Sequence, residues 1–123
     1  MKVDSGETAL KRTAALVHPD CVLCGSSNES GLHLDLDVTD NGGVSATFDC
    51  DTRLQGYSGA LHGGIVASVL DSAMTNCLFA RGKAAVTLRL TVRYRHRVLT
   101  GRPAVVRACF ERFSKLRHVL KAC

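Results

Sequence analysis

The chain has 123 residues, a formal net charge of +5 and a pI near 9.1. This length fits one domain with one modest core, and a content of 46% hydrophobic and 22% charged residues is ordinary for a globular protein. No apolar run approaches the roughly 18 uncharged residues that span a bilayer, and acidic residues interrupt an N-terminus that lacks the apolar core of a signal peptide. We therefore predict a single domain over residues 1–123, located in the cytoplasm and without a membrane partner.

The first 30 residues are predicted to form an N-terminal extension that consists of a helix and a loop. Residues 1–17 have the pattern of a short amphipathic helix. Its predicted packing face comprises Ala9, Leu10, Ala14, Leu16 and Val17.

The loop that follows contains a CxxC pair, Cys21 and Cys24, with His18 and His33 nearby. Such a pair can be half of a zinc site, but a structural zinc site wants two pairs at suitable spacing, and only one occurs here. A tight turn is therefore favoured over a metal site or a redox pair, and we predict no metal and no cofactor. Because no export signal is seen, three further cysteines are interpreted as reduced core residues. They are Cys50, Cys77 and Cys109.

A β-hairpin with one dry face is predicted next. Leucines alternate with polar residues over 32–37, residues 40–43 form a DNGG turn, and the alternation resumes over 44–48. The loop over residues 51–59 then leads to the central element.

The central element is an apolar stretch, residues 59–78, in which residues 62–64 are predicted to start a helix of about four turns. Its few polar positions are spaced four, three and four apart, so they share one face. They are Gly64, Ser68, Asp71 and Thr75. A carboxylate within so apolar a helix costs several kcal/mol to bury unless it is paired, hydrogen-bonded or used. Asp71 is therefore the first candidate catalytic residue.

The start of this helix, around His62, is the second candidate site. Free backbone N–H groups and a partial positive charge suit it to polarise a carbonyl or to bind an oxyanion, and Gly63 lets a ligand approach closely because it has no Cβ. Asp71 lies eight residues further on, about 12 Å along the axis, so one small carbonyl cannot contact both groups within one helix. If the two groups cooperate, a second, antiparallel copy must supply one of them. This spacing predicts a homodimer with two shared sites.

Two long strands are predicted after the helix, which ends at residues 81–83 with Gly82 as its C′ residue. Residues 85–94 alternate apolar and polar side chains, and residues 104–113 do so again after a turn. One helix against an antiparallel sheet is an α+β fold.

Basic residues crowd the second half of the chain. Five of them are Arg89, Arg93, Arg95, Arg97 and Arg102. This cluster fits a solvated strand face, nucleic acid, or the phosphoryl groups of a cofactor-like substrate. The aromatic residues typical of single-strand binders are not interleaved with it, so nucleic acid is the least favoured partner.

The order of these motifs resembles a known family. Residues 55–64 (QGYSGALHGG), with Asp71 two turns later, are similar to the HGG…D signature of hotdog-fold acyl-CoA thioesterases of the phenylacetate-degradation (PaaI-like) type. Residues 21–32 resemble the CxxCG…N..GL opening of one branch of that family. The likeness spans roughly residues 18–110, and it implies a hotdog fold, in which a long central helix is wrapped by a curved antiparallel sheet.

The resemblance implies hydrolysis of an acyl thioester, commonly acyl-CoA, by a homodimer or a dimer of dimers. Asp71 would activate water as a general base or attack the carbonyl itself, and the Gly63 N–H would stabilise the oxyanion. His62 would orient the substrate or support the loop, and Thr87 would position the water. The residues predicted to bind substrate are Gln55, Gly64, Ser68, Thr75, Arg93 and Arg95; Gln55 stands one residue from the position where the family often has Asn or Gln.

Alternatives accompany this interpretation. Asp71 could be satisfied at a helix contact, His62 could be a capping residue and Thr87 an ordinary strand residue. A non-catalytic acyl-CoA-binding or regulatory hotdog protein would not need Asp71, and a hydratase or dehydratase is disfavoured by the order His62 then Asp71. In the family, a turn and a final strand normally follow the strand that here covers residues 117–122, whereas this sequence ends at Cys123. We therefore expect an exposed sheet edge.

Overall fold

The computed structural model of the chain describes residues 5–114 and 116–123. Its elements are α1 (Ser5–Val17), β1 (Asp37–Val38), β2 (Val44–Asp49), a 3₁₀ turn (Thr52–Leu54), α2 (Gly63–Phe79), β3 (Pro103–Phe113) and β4 (His118–Ala122). The strands form one antiparallel sheet in the order β1-β2-β3-β4, and α2 packs against β2, β3 and β4. This arrangement confirms the α+β class. Within the described ranges, no helix is long and apolar enough to cross a membrane.

The central helix begins and ends as the sequence predicts. His62 is its N-cap. At the other end, Gly82 has a φ of 71°, the left-handed conformation that favours glycine. The Gly82 N–H donates to the Phe79 carbonyl oxygen at 2.9 Å. The Lys83 N–H donates to the Leu78 carbonyl oxygen at 3.0 Å. These two bonds form a Schellman motif with Gly82 at C′.

One face of α2 packs against the inner face of the sheet. Val69, Ala73 and Cys77 recur at four-residue spacing and are buried, Ala73 and Cys77 completely. The buried sheet residues of the same core are Val44, Ala46, Phe48, Val106 and Ala108. Full burial of a Val or Phe side chain stabilises the fold by about 1.5–3 kcal/mol. This layer of side chains therefore holds α2 on the sheet.

The predicted hairpin is confirmed in its second strand but not in its first. β2 alternates buried and exposed residues, as expected, whereas β1 contains only two residues. Leu34 is buried nonetheless. The Leu32 N–H donates to the Val22 carbonyl oxygen at 2.8 Å, and the Leu34 N–H donates to the Leu23 carbonyl oxygen at the same distance. Because the Leu32 and Leu34 N–H groups are bonded to the loop that carries Cys21 and Cys24, they do not pair with β2.

The predicted strand over residues 85–94 is wrong, because this stretch is not part of the sheet. Val86 and Leu88, which share one side of the alternating pattern, are 92% and 78% exposed. A sheet strand requires a neighbour that pairs with its backbone, and none of the described strands pairs with this one. We call residues 83–98 the return segment. β4 lies at an edge of the four-stranded sheet.

Helix α1 is confirmed from Ser5 onward, while residues 1–4 of the predicted helix lie outside the described ranges. Leu10 is buried, but Leu16 is 75% exposed, contrary to prediction. The reason is that Leu16 lies about 240° around the helix from Leu10. Val17 is also about half exposed, because it is the last residue of α1 and projects beyond the packed turns.

The cysteine predictions hold for two of the three core positions. Cys50 and Cys77 are buried free thiols, whereas Cys109 is only half-buried. Cys109 lies between Ala108 and Phe110 on β3, and since side chains alternate along a strand it faces away from the core.

Burial raises the pKa of the Cys77 thiol from 9.0 to about 11. The folded chain then binds more protons than the unfolded chain between these two values, so stability is lost as the pH rises through this window. We expect the free energy of unfolding to fall by about 2–3 kcal/mol more in the wild type than in Cys77→Ala over the window. Urea denaturation at a series of alkaline pH values measures this difference. An equal fall in both proteins would contradict the assignment.

Candidate active site

The first turn of α2 leaves one backbone donor open. The His62 Nδ1 accepts a hydrogen bond from the Gly64 N–H at 2.8 Å, and the His62 carbonyl oxygen accepts one from the Ile65 N–H at 2.9 Å. Among the described residues, none accepts a hydrogen bond from the Gly63 N–H. An open N–H at the positive end of a helix can donate to a carbonyl oxygen that is gaining negative charge.

Tyr94 holds the Gly63 peptide from the return segment. Its hydroxyl donates to the Gly63 carbonyl oxygen at 2.8 Å. A Cβ added at Gly63 would stand 3.5 Å from the Tyr94 ring, an ordinary van der Waals distance. Sequence analysis missed this contact, because alternation along a segment reports on which side a residue lies and not which element it meets.

Asp71 lies on the face of α2 that also carries Ser68 and Thr75, and all three are half-buried. The Thr87 Oγ1 donates to the Asp71 Oδ1 at 2.7 Å. In the part of the chain that the structure describes, the other carboxylate oxygen, Oδ2, has no hydrogen-bond partner. The fold thus brings together two of the predicted catalytic residues, one from α2 and one from the return segment.

One chain does not bring Asp71 to Gly63. Eight residues of continuous helix separate them by about 12 Å. The return segment runs back along α2, where it meets Asp71 through Thr87 and Gly63 through Tyr94. Each chain therefore carries a carboxylate and an open N–H on the same helix but too far apart to share one small reacting group.

A cleft of about 390 Å³ opens beside the first turn of α2. Its lining residues are Arg53, Leu54, Gln55, His62, Gly64, Ile65 and Ser68. Because the His62 Nδ1 accepts a hydrogen bond, the neutral ring carries its proton on Nε2 and offers a donor there. Arg53 was missed by sequence analysis, since it lies before the conspicuous glycine-rich motif. Its Nε pairs with the Asp51 carboxylate at 3.2 Å.

Two of the predicted binding residues in the cleft are bonded locally. The Gln55 Oε1 accepts a hydrogen bond from the Gly59 N–H at 3.1 Å, which closes the turn before α2. The Ser68 hydroxyl donates to the Gly64 carbonyl oxygen at 2.8 Å. These contacts fix the wall of the cleft and leave one lone pair of the Gln55 Oε1 and both lone pairs of the Ser68 hydroxyl for another partner.

The other predicted binding residues lie outside the cleft. Thr75 is one turn beyond Asp71 on α2 and does not line it. Arg93 and Arg95 are exposed on the return segment, on either side of Tyr94 in sequence. Neither guanidinium pairs with a carboxylate within residues 5–114 and 116–123.

The sequence profile of the thioesterase superfamily matches residues 58–122, more than half of the chain. The matched region contains α2, the return segment, β3 and β4. The chain belongs to the thioesterase superfamily, and this membership supports thioester hydrolysis as its general class of reaction. A comparison of the sequence with curated proteins finds no match.

Solved structures share the fold. The Escherichia coli PaaI protein from the phenylacetic acid degradation operon matches with a TM-score of 0.72 and 16% identity, over 94% of this chain and 90% of PaaI. Zebrafish thioesterase superfamily member 2 matches with a TM-score of 0.64 and 13% identity, over 99% of this chain and 94% of its own. Another thioesterase superfamily protein has a TM-score of 0.70 and 21% identity over 80% of this chain, and the match spans 57% of that protein's length. The chain thus has the hotdog fold.

Replacing Gly63 by alanine separates a packing role from a binding role. The added methyl group fits beside the Tyr94 ring, so we expect the free energy of unfolding to stay within about 1 kcal/mol of wild type. If substrate must approach the Gly63 N–H, the same methyl group misplaces it, and kcat/KM for a thioester falls about tenfold or more. Urea denaturation and steady-state kinetics on the same preparation test both parts. A large loss of stability with unchanged kcat/KM would assign Gly63 to packing alone.

Proposed function

We propose that the chain hydrolyses acyl-CoA thioesters to the free acid and CoA, in the cytoplasm, as a homodimer or a dimer of dimers. The observation that carries this proposal is the hydrogen bond from Thr87 to Asp71 on the open face of α2. It fixes one carboxylate oxygen and leaves the other available. The free Asp71 carboxylate oxygen can meet an incoming molecule, and the Gly63 N–H of a second copy of the chain supplies the complementary donor.

In the proposed reaction, the Gly63 N–H binds the thioester carbonyl oxygen and stabilises the negative charge that develops on it. The Asp71 carboxylate takes the proton of an attacking water as general base, or attacks the carbonyl carbon itself. On the general-base route, water adds to the carbonyl carbon, the C–S bond breaks, and the departing thiolate of CoA takes up a proton. On the nucleophilic route, the C–S bond breaks as Asp71 and the acyl group form a mixed anhydride, and water then cleaves that anhydride, which frees the acid and restores the Asp71 carboxylate. Thr87 positions the carboxylate or the water, and the His62 Nε2–H orients the substrate in the cleft.

The choice of CoA as the thiol rests on Arg93 and Arg95. CoA carries three phosphoryl groups, and a guanidinium binds phosphoryl oxygens with paired hydrogen bonds. Both arginines are exposed, and they flank Tyr94, whose hydroxyl contacts Gly63. Phosphates bound there would lie at the same end of the helix as the open N–H.

The proposed reaction needs two copies of the chain. Attack and charge stabilisation occur at a single carbonyl group, whereas Gly63 and Asp71 of one helix stand about 12 Å apart. An antiparallel second helix would bring the Asp71 of one copy to the Gly63 of the other, twice, as in an isologous dimer. The exposed Val86 and Leu88 side chains of the return segment offer apolar surface that a second copy would cover.

The test is the release of free CoA thiol from a panel of aryl- and fatty-acyl-CoA esters by wild type and Asp71→Asn. Asparagine keeps the size of the side chain and can still accept the Thr87 hydrogen bond, so the fold is retained. We expect kcat to fall by about two orders of magnitude or more, the scale of a lost catalytic acid or base.

Matched variants distinguish a loss of catalysis from an unspecific effect of substitution on the fold. Asp35→Asn removes an exposed carboxylate away from α2, and it should leave kcat unchanged. Thr87→Val removes one hydrogen bond and should lower kcat by up to about tenfold, while Thr91→Val on the same segment should not. A wild type that binds acyl-CoA without releasing thiol would contradict hydrolysis and favour the binding-only alternative.

A further inference from the structure

A cluster of metal-binding side chains lies where α1 ends. The ligand atoms of His18, Cys21 and Cys24 all lie within 4.8 Å of one another. The His18 Nδ1 and the Cys24 Sγ are 3.8 Å apart. Around a tetrahedral zinc ion, with Zn–S near 2.3 Å and Zn–N near 2.0 Å, a nitrogen and a sulfur ligand stand about 3.6 Å apart. The CxxC pair alone supplies two ligands, and the fold adds the third.

The two cysteines lie in a tight backbone turn. Its backbone closes through the Gly25 N–H, which donates to the Cys21 carbonyl oxygen at 2.8 Å. A Cβ added at Gly25 would lie 2.3 Å from the Cys21 nitrogen and 2.6 Å from the Pro19 oxygen, so only glycine fits there. The Leu23 N–H points at the Cys21 Sγ, at 3.4 Å. This contact fixes the orientation of the Cys21 sulfur within the turn.

Helix α2 also contacts the turn that carries the two cysteines. Asn76, which is 2% exposed, donates from Nδ2 to the Cys24 Sγ at 3.6 Å and to the Ser72 carbonyl oxygen at 2.8 Å. The Ser72 hydroxyl is also buried, at 7% exposure, and within the described residues it has no hydrogen-bond partner. Buried polar groups normally have a partner. Asn76 therefore gives the cysteine turn polar support from α2.

We propose that His18, Cys21 and Cys24 bind one zinc ion, with water in the fourth position. Zinc suits a donor set of one imidazole nitrogen and two sulfurs. On binding, the two thiols release their protons to solvent and the neutral imidazole donates its Nδ1 lone pair, so the ion and its two thiolates carry no net charge. All three ligands are half-buried, which leaves access for the water.

The site fastens the N-terminal extension to the central helix. His18 follows α1 directly, and its ring meets the Phe79 ring edge-on at 5.1 Å between centroids. Asn76 follows Asp71 by five residues, which places the two side chains on different faces of α2. The zinc site therefore lies apart from the proposed thioester chemistry, and its test does not depend on turnover.

The test measures bound zinc in the full chain, purified under reducing conditions after exposure to Zn²⁺ and desalting. We expect about one zinc per chain in the wild type, and none in Cys21→Ser or Cys24→Ser. Cys123→Ser removes an exposed cysteine outside the cluster and should keep the zinc. Replacement by Co²⁺ should give the thiolate-to-cobalt absorption and visible bands of a tetrahedral ion. Wild type without zinc, or equal loss in Cys123→Ser, would overturn the proposal.

A second measurement uses the wild type alone, in case a variant does not fold. Alkylation mapped by mass spectrometry should show that Zn²⁺ protects Cys21 and Cys24 but not Cys123, and that a chelator reverses the protection. Chelation should also lower the midpoint of thermal unfolding, because a ligand bound only to the folded state stabilises it. Protection that is absent, or that comes from a Cys21–Cys24 disulfide under reducing conditions, would contradict a zinc site.

Discussion

The rigid helix α2 fixes the distance between the two candidate catalytic groups of one chain. A continuous helix holds Gly63 and Asp71 about 12 Å apart, and no side-chain rotation closes that distance. The packed layer beneath the helix prevents it from bending, since Ala73 and Cys77 are completely buried against the sheet. The two candidate groups of one chain are therefore held apart, and chemistry that needs both must take one of them from a second copy of the chain.

The return segment depends on the same helix. Its side chains Val86 and Leu88 are exposed, so their burial does not hold it within the chain. Beyond the helix cap at Lys83, two side-chain hydrogen bonds join it to α2, from Thr87 to Asp71 and from Tyr94 to Gly63. The contacts that orient the candidate groups are thus the contacts that position the segment. These two contacts therefore hold the segment beside the candidate site, although it has no partner among the described strands of the sheet.

Periodicity predicted α2 and β3 correctly because their patterns are satisfied by partners within the chain. It failed over residues 85–94, where the pattern indicates a preference for a strand but contains no information about whether a partner strand is present. The same distinction between local pattern and long-range contact applies to the residues of the candidate site. Spacing alone places Asp71 on one helix face with Ser68 and Thr75, whereas the contact of Tyr94 with Gly63 exists only in the folded chain.

The most direct test of the shared site is to mix two impaired variants, Gly63→Ala and Asp71→Asn, after partial unfolding and refolding together; the first is expected to keep at most about a tenth of wild-type kcat/KM and the second about a hundredth of wild-type kcat. In a mixed dimer, one site combines the intact Gly63 of one chain with the intact Asp71 of the other. Random pairing then predicts recovery of about a quarter of wild-type thioesterase activity, because half the dimers are mixed and each has one intact site of two. If both groups acted within one chain, every site would keep one defect, and the mixture would show only the average of the two variants' residual activities.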